Sequence, residues 1–264
     1  VLGNDAWDGQ SATPVSSTGP VRTFERAAAL LRPGTTLHLA EKQTFREPLI
    51  LKSSGTDESP IIIEGHGAVI DLGTDVTTGL WISDGDAWVL DRQEPQWGNG
   101  AVWQMARLYV DRQFVWPIDP RNEKTLKPGQ VEQMADGRMR VLFPLSTSPS
   151  SVQRIVLNAS WSVSAVAMVS QSNVIIRDLT SRFAGNDGFN IHGACRNIKL
   201  QRVTAEFNGD EGISAHEDSV VEVTDSIIAF NGSQAGGIAD VGQANTTYRR
   251  CMRSEEHTSE LQSP

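Results

Sequence analysis

Asn186-Asp187-Gly188-Phe189-Asn190-Ile191-His192 and Asp210-Glu211-Gly212-Ile213-Ser214-Ala215-His216 are two versions of one phrase, set 24 residues apart. Glycine, an apolar residue, a polar one, an apolar or small one and histidine recur in that order. Ala235-Gly236-Gly237-Ile238-Ala239-Asp240 says it a third time with one residue of slip. A second phrase runs between the copies: Val174 to Leu179, Ile198 to Val203, then Val221 to Ser226. A third closes each turn: Phe183-Ala184-Gly185-Asn186, Phe207-Asn208-Gly209-Asp210 and Phe230-Asn231-Gly232. Each unit therefore holds two short alternating strands and an Asn/Gly corner, with no room for a helix.

A period of this length marks a solenoid, because one unit cannot bury its apolar face alone and must stack on its neighbours. Alternating apolar and polar residues give strands with one face inward. Asn and Gly are expected where the backbone turns sharply, often at positive φ. Leucine-rich repeats need a Leu-x-x-Leu-x-Leu frame, which is absent, and propeller blades need about 40 residues or more per unit. The expected fold is all-β: a single-stranded right-handed parallel β-helix.

Composition limits the function classes. A formal charge of −9 gives nucleic acid no electrostatic footing. No apolar run is long enough to span a membrane. No signal peptide is visible, but the chain begins at Val1. Arg253 to Pro264 reads as a translated sequencing-library adapter and is set aside as an artefactual tail, with the solenoid cut near Met252. The tail carries one Arg against three Glu, which leaves −7 on the rest. Cys195 and Cys251 make no disulfide framework and are expected as buried thiols stacked inside the coil.

Taken in order, residues 1–20 form an irregular leader rich in Gly, Ser, Thr, Asp and Pro. Residues 21–73 hold the cap and first coils. Thr23 should cap a short helix with Phe24, Ala27, Ala28 and Leu31 on one face, stopped by Pro33-Gly34. A helix there covers the open solenoid end. Strands are expected at 35–39, 48–51, 60–64 and 68–71. Residues 74–165 break the period. They hold six of the seven Trp and two hairpin-like passages, 108–116 about Asp111-Arg112 and 131–143 about Asp136-Gly137, and should form a β-rich excursion beside the coil. Residues 166–252 resume the coils.

The run Gly-Pro-Val-Arg-Thr-Phe, Arg-Pro-Gly-Thr-Thr-Leu-His-Leu, Phe-Arg-Glu-Pro-Leu-Ile and Ser-Pro-Ile-Ile-Ile-Glu-Gly resembles the opening of pectin-lyase-like β-helix proteins. The resemblance covers about residues 19–73 and resumes at 166–251. It implies a secreted or periplasmic protein that cuts or modifies polysaccharides.

Equivalent positions of successive coils stack about 4.8 Å apart. The repeat arithmetic sets Asp187 beside Glu211, Asn186 beside Asp210 and His192 beside His216, with Asp240 on the histidine register. Like charges stacked directly are destabilising. An acidic ladder therefore calls for a shared proton, a cation or a substrate. Paired carboxylates about 5–9 Å apart are what glycosidic hydrolysis uses. Asx ladders with no chemistry are the competing explanation, and the preferred one for Asn208, Asn231 and Asn186. Trp97, flanked by Gln96, Gly98 and Asn99, is the candidate for an exposed sugar-stacking ring. Ca²⁺ suits the acidic, all-oxygen setting, although no loop signature marks a site. Zinc lacks a supporting His/Cys spacing.

Asn186-Asp187-Gly188 with Asp210-Glu211-Gly212-Ile213 is similar to the Asn-Thr-Asp and Asp-Asp-Cys motifs of polygalacturonase-type glycoside hydrolases, whose acids serve as general acid and base. The Gly-His-Gly of that family appears here as Ala235-Gly236-Gly237. Gly212 to Asp218 also resembles the Asp-Pro-His-Asp/Glu motif of mannuronan C5-epimerases, with Ser214-Ala215 in place of Asp-Pro. That resemblance implies proton abstraction by His216. The expectation is a monomeric polysaccharide-acting enzyme with Asp187, Asp210, Glu211, His216 and His192 in catalysis. Asp240, Glu217, Asp218 and Trp97 would bind substrate. A polysaccharide lyase or epimerase using His216, and a non-catalytic glycan-binding solenoid, are the alternatives.

Overall fold

The computed structural model describes residues 3–92, 107–118, 125–144, 147–232 and 237–254. It is a parallel β-solenoid with one helix among the described residues. One ladder runs Thr36–His38, Ile61–Asp71, Ser172–Arg182, Arg196–Gln201, Val220–Thr224 and Asn245–Arg249, all parallel. The second halves of the two long strands carry a further ladder through Thr204–Glu206, Ile227–Ala229 and Met252–Ser254. A third face stacks Leu49–Leu51, Val166–Val169, Phe189–His192, Ile213–Ala215 and Ile238–Asp240. Arg253 and Ser254, expected in the tail, continue the last of these strands, and the rest of that tail lies outside the described residues.

The registers follow the repeat. Val174 pairs with Ile198 and Ile198 with Val221, while Phe189 pairs with Ile213. Alternation sends Val174, Ile176, Ile198, Leu200, Val221 and Val223 into one core shared by all coils. The excursion does not disturb it: Val166 lands on Leu49 and Val174 on Ile61, as if residues 74–165 had never intervened. The expected strands 60–64 and 68–71 form one bent strand, Ile61–Asp71, with the bend at His66 (φ 52°) and Gly67 (φ 73°).

At the N-terminal end Thr23 caps the helix Phe24–Leu30, its hydroxyl accepting from the Arg26 amide at 3.2 Å. Asp5 of the leader accepts from the Arg22 and Thr23 amides and ties the leader to that cap. Phe24 and Leu31 join the solenoid core, so the helix closes the end of the stack.

Among its described residues the excursion is an eight-stranded sheet with its own apolar core around Leu108, Val141, Phe143 and Ile155. Both expected hairpins are present, with Val110 opposite Gln113 across Asp111-Arg112 and Gln133 opposite Met139. Tyr109 fastens the excursion to the coils. Its ring meets Phe183 and Phe207, and its hydroxyl donates to the carbonyls of Asn208 (3.0 Å) and Phe230 (2.9 Å).

The Asn/Gly corners are built differently from the expectation. Positive φ falls on Phe183, Phe207 and Phe230, at 56–58°. Their rings stack outside the coil, Phe183 on Phe207 at 5.5 Å and Phe207 on Phe230 at 5.2 Å. The glycines serve close approach instead: a Cβ on Gly209 would lie 2.3 Å from the carbonyl oxygen of Gly185. Asn208 and Asn231 point inward as a ladder. Asn208 Nδ2 donates to Asn231 Oδ1 (2.9 Å), and Asn208 Oδ1 accepts from the Ala184 amide. The cysteines do not stack: buried Cys195 precedes Arg196–Gln201, whereas half-buried Cys251 precedes Met252–Ser254 at another corner.

Replacing Asn208 by Ala strands the Ala184 amide and one bond of Asn231, each costing about 1–3 kcal/mol when buried. Urea denaturation should show a stability loss of about 2–4 kcal/mol with an unchanged m-value. A loss under about 0.5 kcal/mol would show that the ladder does not hold the corner.

Candidate active site

The site begins where the third face starts its strands. Gly188 and Gly212 precede Phe189 and Ile213, and the Gly188 amide donates to the Glu211 carbonyl at 2.9 Å. A Cβ on Gly188 would sit 2.6 Å from the carbonyl oxygen of Gly212, so the coils close up tightly just beside the acids. That closeness brings Asp187, Asp210 and Glu211 together, with carboxylate oxygens within 4.8 Å of one another. Asp187 is buried, and its oxygens accept from the Glu211 amide (3.1 Å) and the Asn186 side chain (3.0 Å). Asp210 and Glu211 are half-buried.

Burial, followed by the charges of Glu211 and Asp210, pushes the Asp187 carboxyl well above its ordinary range. The Asp210 carboxyl is pushed up to about 6, first by burial and then by Glu211. The arrangement holds protons near neutrality where isolated carboxylates would be ionised. The three oxygens could equally ligate a hard cation such as Ca²⁺.

Sequence reasoning missed Arg107. It enters from the excursion, two residues before Tyr109 and on the same side of the strand, and is buried. Its stem passes over Gly209 and its guanidinium over Gly232, where added Cβ atoms would lie 2.9 and 3.1 Å from it. Asp210, Glu211 and Asp187 are the acidic charges that act on it. Its charge in turn draws the Asp210 carboxyl downward, against burial. The available signal was a lone cation in the apolar run Met105-Ala106-Arg107-Leu108-Tyr109-Val110.

The two histidines stack as the spacing predicts, with ring centroids 3.9 Å apart and planes 12° off parallel. His216 Nε2 shares a hydrogen bond with Ser214 Oγ at 2.8 Å, and His192 Nδ1 lies 3.4 Å from Glu217. Glu217 accepts from the Gly193 amide at 2.7 Å, which holds its carboxyl below the usual range. Burial and the neighbouring His192 push His216 down, so it is neutral at pH 7. His192, His216 and Glu217 form a second group whose ligand atoms lie within 4.8 Å of one another.

Other expected residues fall elsewhere. Asp240 pairs with Ala215, one residue short of the histidine register, because the third copy carries its extra residue before Ile238. A slip of one moves a side chain to the other face. Asp240 instead accepts from the Thr246 hydroxyl. Asp218 is exposed, and its carbonyl accepts from Arg196. Trp97 lies outside the described residues. Arg177 and Arg202 are paired on the outer ladder with Glu64 (2.8 Å) and Asp178 (2.7 Å).

No protein-family model and no curated protein matches the sequence. Two solved structures resemble the fold. The complex structure of XylC with xylose aligns with a TM-score of 0.59 at 11% identity, covering 89% of this chain and 56% of that one. A structure described as a glycoside hydrolase aligns with a TM-score of 0.51 at 11% identity, covering 85% of this chain and 64% of that one. The chain thus spans less than two thirds of either, and at this identity the likeness is one of fold.

Proposed function

We propose that this chain is a carbohydrate-active enzyme, acting outside the cytoplasm, that hydrolyses glycosidic bonds with Asp210 and Glu211. The observation that carries the reading is the triad of carboxyls within 4.8 Å on adjacent coils, two of them held toward the protonated form. Stacked acids with no counter-ladder are costly unless they serve chemistry. The fold neighbours, described as a glycoside hydrolase and as a complex with xylose, agree with it.

Asp210 is the general acid: a carboxyl with a pKa of about 6 keeps a proton for the leaving oxygen under mildly acidic conditions. Glu211, half-buried, is the nucleophile. Asp187 is too buried to meet a sugar and is a positioning residue, bonded to the Glu211 amide. Inverting pairs stand about 6.5–9.5 Å apart to admit a water, whereas retaining pairs stand about 5–5.5 Å apart. Oxygens within 4.8 Å of one another leave no gap of the inverting kind, and on that ground we propose retention through a glycosyl-enzyme on Glu211. Arg107 offsets the charge left when Asp210 gives up its proton. Lyase or epimerase chemistry by neutral His216 would need a cation to hold a uronate, and Arg177 and Arg202 are committed to Glu64 and Asp178 on the outer ladder.

Glu211→Gln and Asp210→Asn should each lower kcat/KM by at least about 100-fold, general acid–base and nucleophilic steps being worth that much. Proton NMR of the first-formed product should show the anomeric configuration of the substrate. Inverted product would remove Glu211 as nucleophile, and full activity in both variants would remove the acid pair altogether. Activity should fall above about pH 6 as Asp210 ionises. Arg107→Gln removes the charge that draws Asp210 down, so this alkaline limb should move up by about one pH unit, with Arg107→Lys restoring it.

Asp210 also carries a stability signature. Its folded pKa is raised, so its contribution is full below its unfolded value near 3.8 and is lost as pH rises through about 6. The melting temperature of the wild type should fall between pH 4 and 7, and Asp210→Asn should flatten that fall. Parallel curves for the two proteins would contradict the shift.

A further inference from the structure

A cleft lined by Tyr109 and free of the three acids lies between the excursion and the stacked phenylalanines, with a volume of about 380 Å³. Its floor is apolar: Val156, Phe183 and Phe207, all buried. Its walls are charged, with Arg112, Arg154 and Arg182 beside Glu206 and Asp111. Two of the arginines are committed. Arg182 binds buried Asp71 at 2.8 Å, and Arg154 lies 3.4 Å from Asp75. Among the described residues no carboxylate lies within ion-pair distance of Arg112. Its guanidinium rests 5.3 and 5.1 Å from the ring centroids of Phe207 and Phe230. Glu206 faces this cation and senses its charge, yet the two do not close an ion pair.

The backbone adds an independent sign. Asp111 and Arg112 form the two-residue tip of their hairpin at φ 45° and 71°, a turn that favours Asn-Gly or Asp-Gly. A side chain with a Cβ is strained at Arg112, and strain of this kind is kept where the side chain serves a purpose. Asp111 secures the tip by accepting from the Gln153 and Arg154 amides at 2.8 Å.

We propose that this cleft binds an acidic sugar unit of the polysaccharide. The sugar carboxylate accepts from Arg112, with Arg154 beside it, and a ring hydroxyl bonds Glu206. The apolar face of the ring lies against Val156 and the phenylalanine edges. A cleft of this volume holds a monosaccharide, pockets for small ligands running to about 300–1,000 Å³. Guanidinium geometry suits a planar carboxylate. The inference rests on the carbohydrate reading above but uses none of its catalytic residues.

The test is titration calorimetry with a hexuronate trisaccharide and the neutral trisaccharide of the same linkage, in the Glu211→Gln background so that neither is turned over. The acidic ligand should bind at least about tenfold more tightly. Arg112→Gly should abolish that preference while leaving the melting temperature unchanged or higher, because glycine relieves the turn. Arg112→Lys, which keeps the charge, should retain part of the preference. Equal affinity for the two sugars, or a preference that survives Arg112→Gly, would overturn the proposal. So would acetate displacing the acidic sugar at matched concentration, since it would reduce the cleft to a general anion site. Hydrolysis of a neutral glycoside by Arg112→Gly in the otherwise wild-type chain should be unchanged. Its absence in wild type would count against the enzyme reading and leave the binding result standing.

Discussion

In a parallel solenoid every side chain is stacked on its own equivalent one coil away, about 4.8 Å off. Whatever residue occupies a position must tolerate a near copy of itself above and below. Apolar residues do so by packing, as Val174, Ile198 and Val221 show. Phenylalanines do so by offset stacking at the left-handed corner. Amides do so by donating one way and accepting the other, as Asn208 and Asn231 do inside the coil and Asn173 and Asn197 do outside it. Charges tolerate the rule only by alternating sign. Asp178 is met by Arg202 and Asp225 by Arg250, each through two hydrogen bonds, at a corner where all four residues have positive φ.

Against that rule the acidic cluster stands out. Asp187, Asp210 and Glu211 place like charges on adjacent coils, and the chain answers with protonation and with one guanidinium brought from outside the repeat. The stacked histidines answer in the same way, by leaving His216 neutral. The excursion is what makes the first answer available. Tyr109 anchors it to the corner carbonyls, and Arg107, two residues earlier at the entry to that strand, is thereby set over the glycines beside the acids.

Neighbours within the solenoid were legible in the sequence because they follow a period. Asp187 beside Glu211 and His192 on His216 came from counting by 24, and the capped helix and both hairpins came from local signals. The errors arose where counting stops working. The extra residue before Ile238 moved Asp240 off the histidine register, since a parallel strand has only two faces to offer. The corners read as Asn and Gly, but the left-handed residue is the phenylalanine before them. Those rings stack on one another, and two of them, Phe183 and Phe207, also pack on Tyr109, far away in sequence. Arg107 was invisible for the same reason: no period links an excursion to the coil it covers.

That division bears on how such a site can arise. The stack supplies rigid, evenly spaced positions and sets the separation of any two side chains on neighbouring coils. It cannot by itself supply a charge of the opposite sign on the same rung without forming another closed ion pair, like those of Asp178 and Asp225. A reactive cluster therefore needs its cation from a segment that does not obey the repeat. Residues 74–165 are such a segment, and the coil register runs on across them without a break. The chain can vary the excursion, and with it the charge and shape facing the acids, while the ladder beneath stays as it is. On this view the solenoid fixes the distance between the carboxyls, and the excursion fixes what they can do.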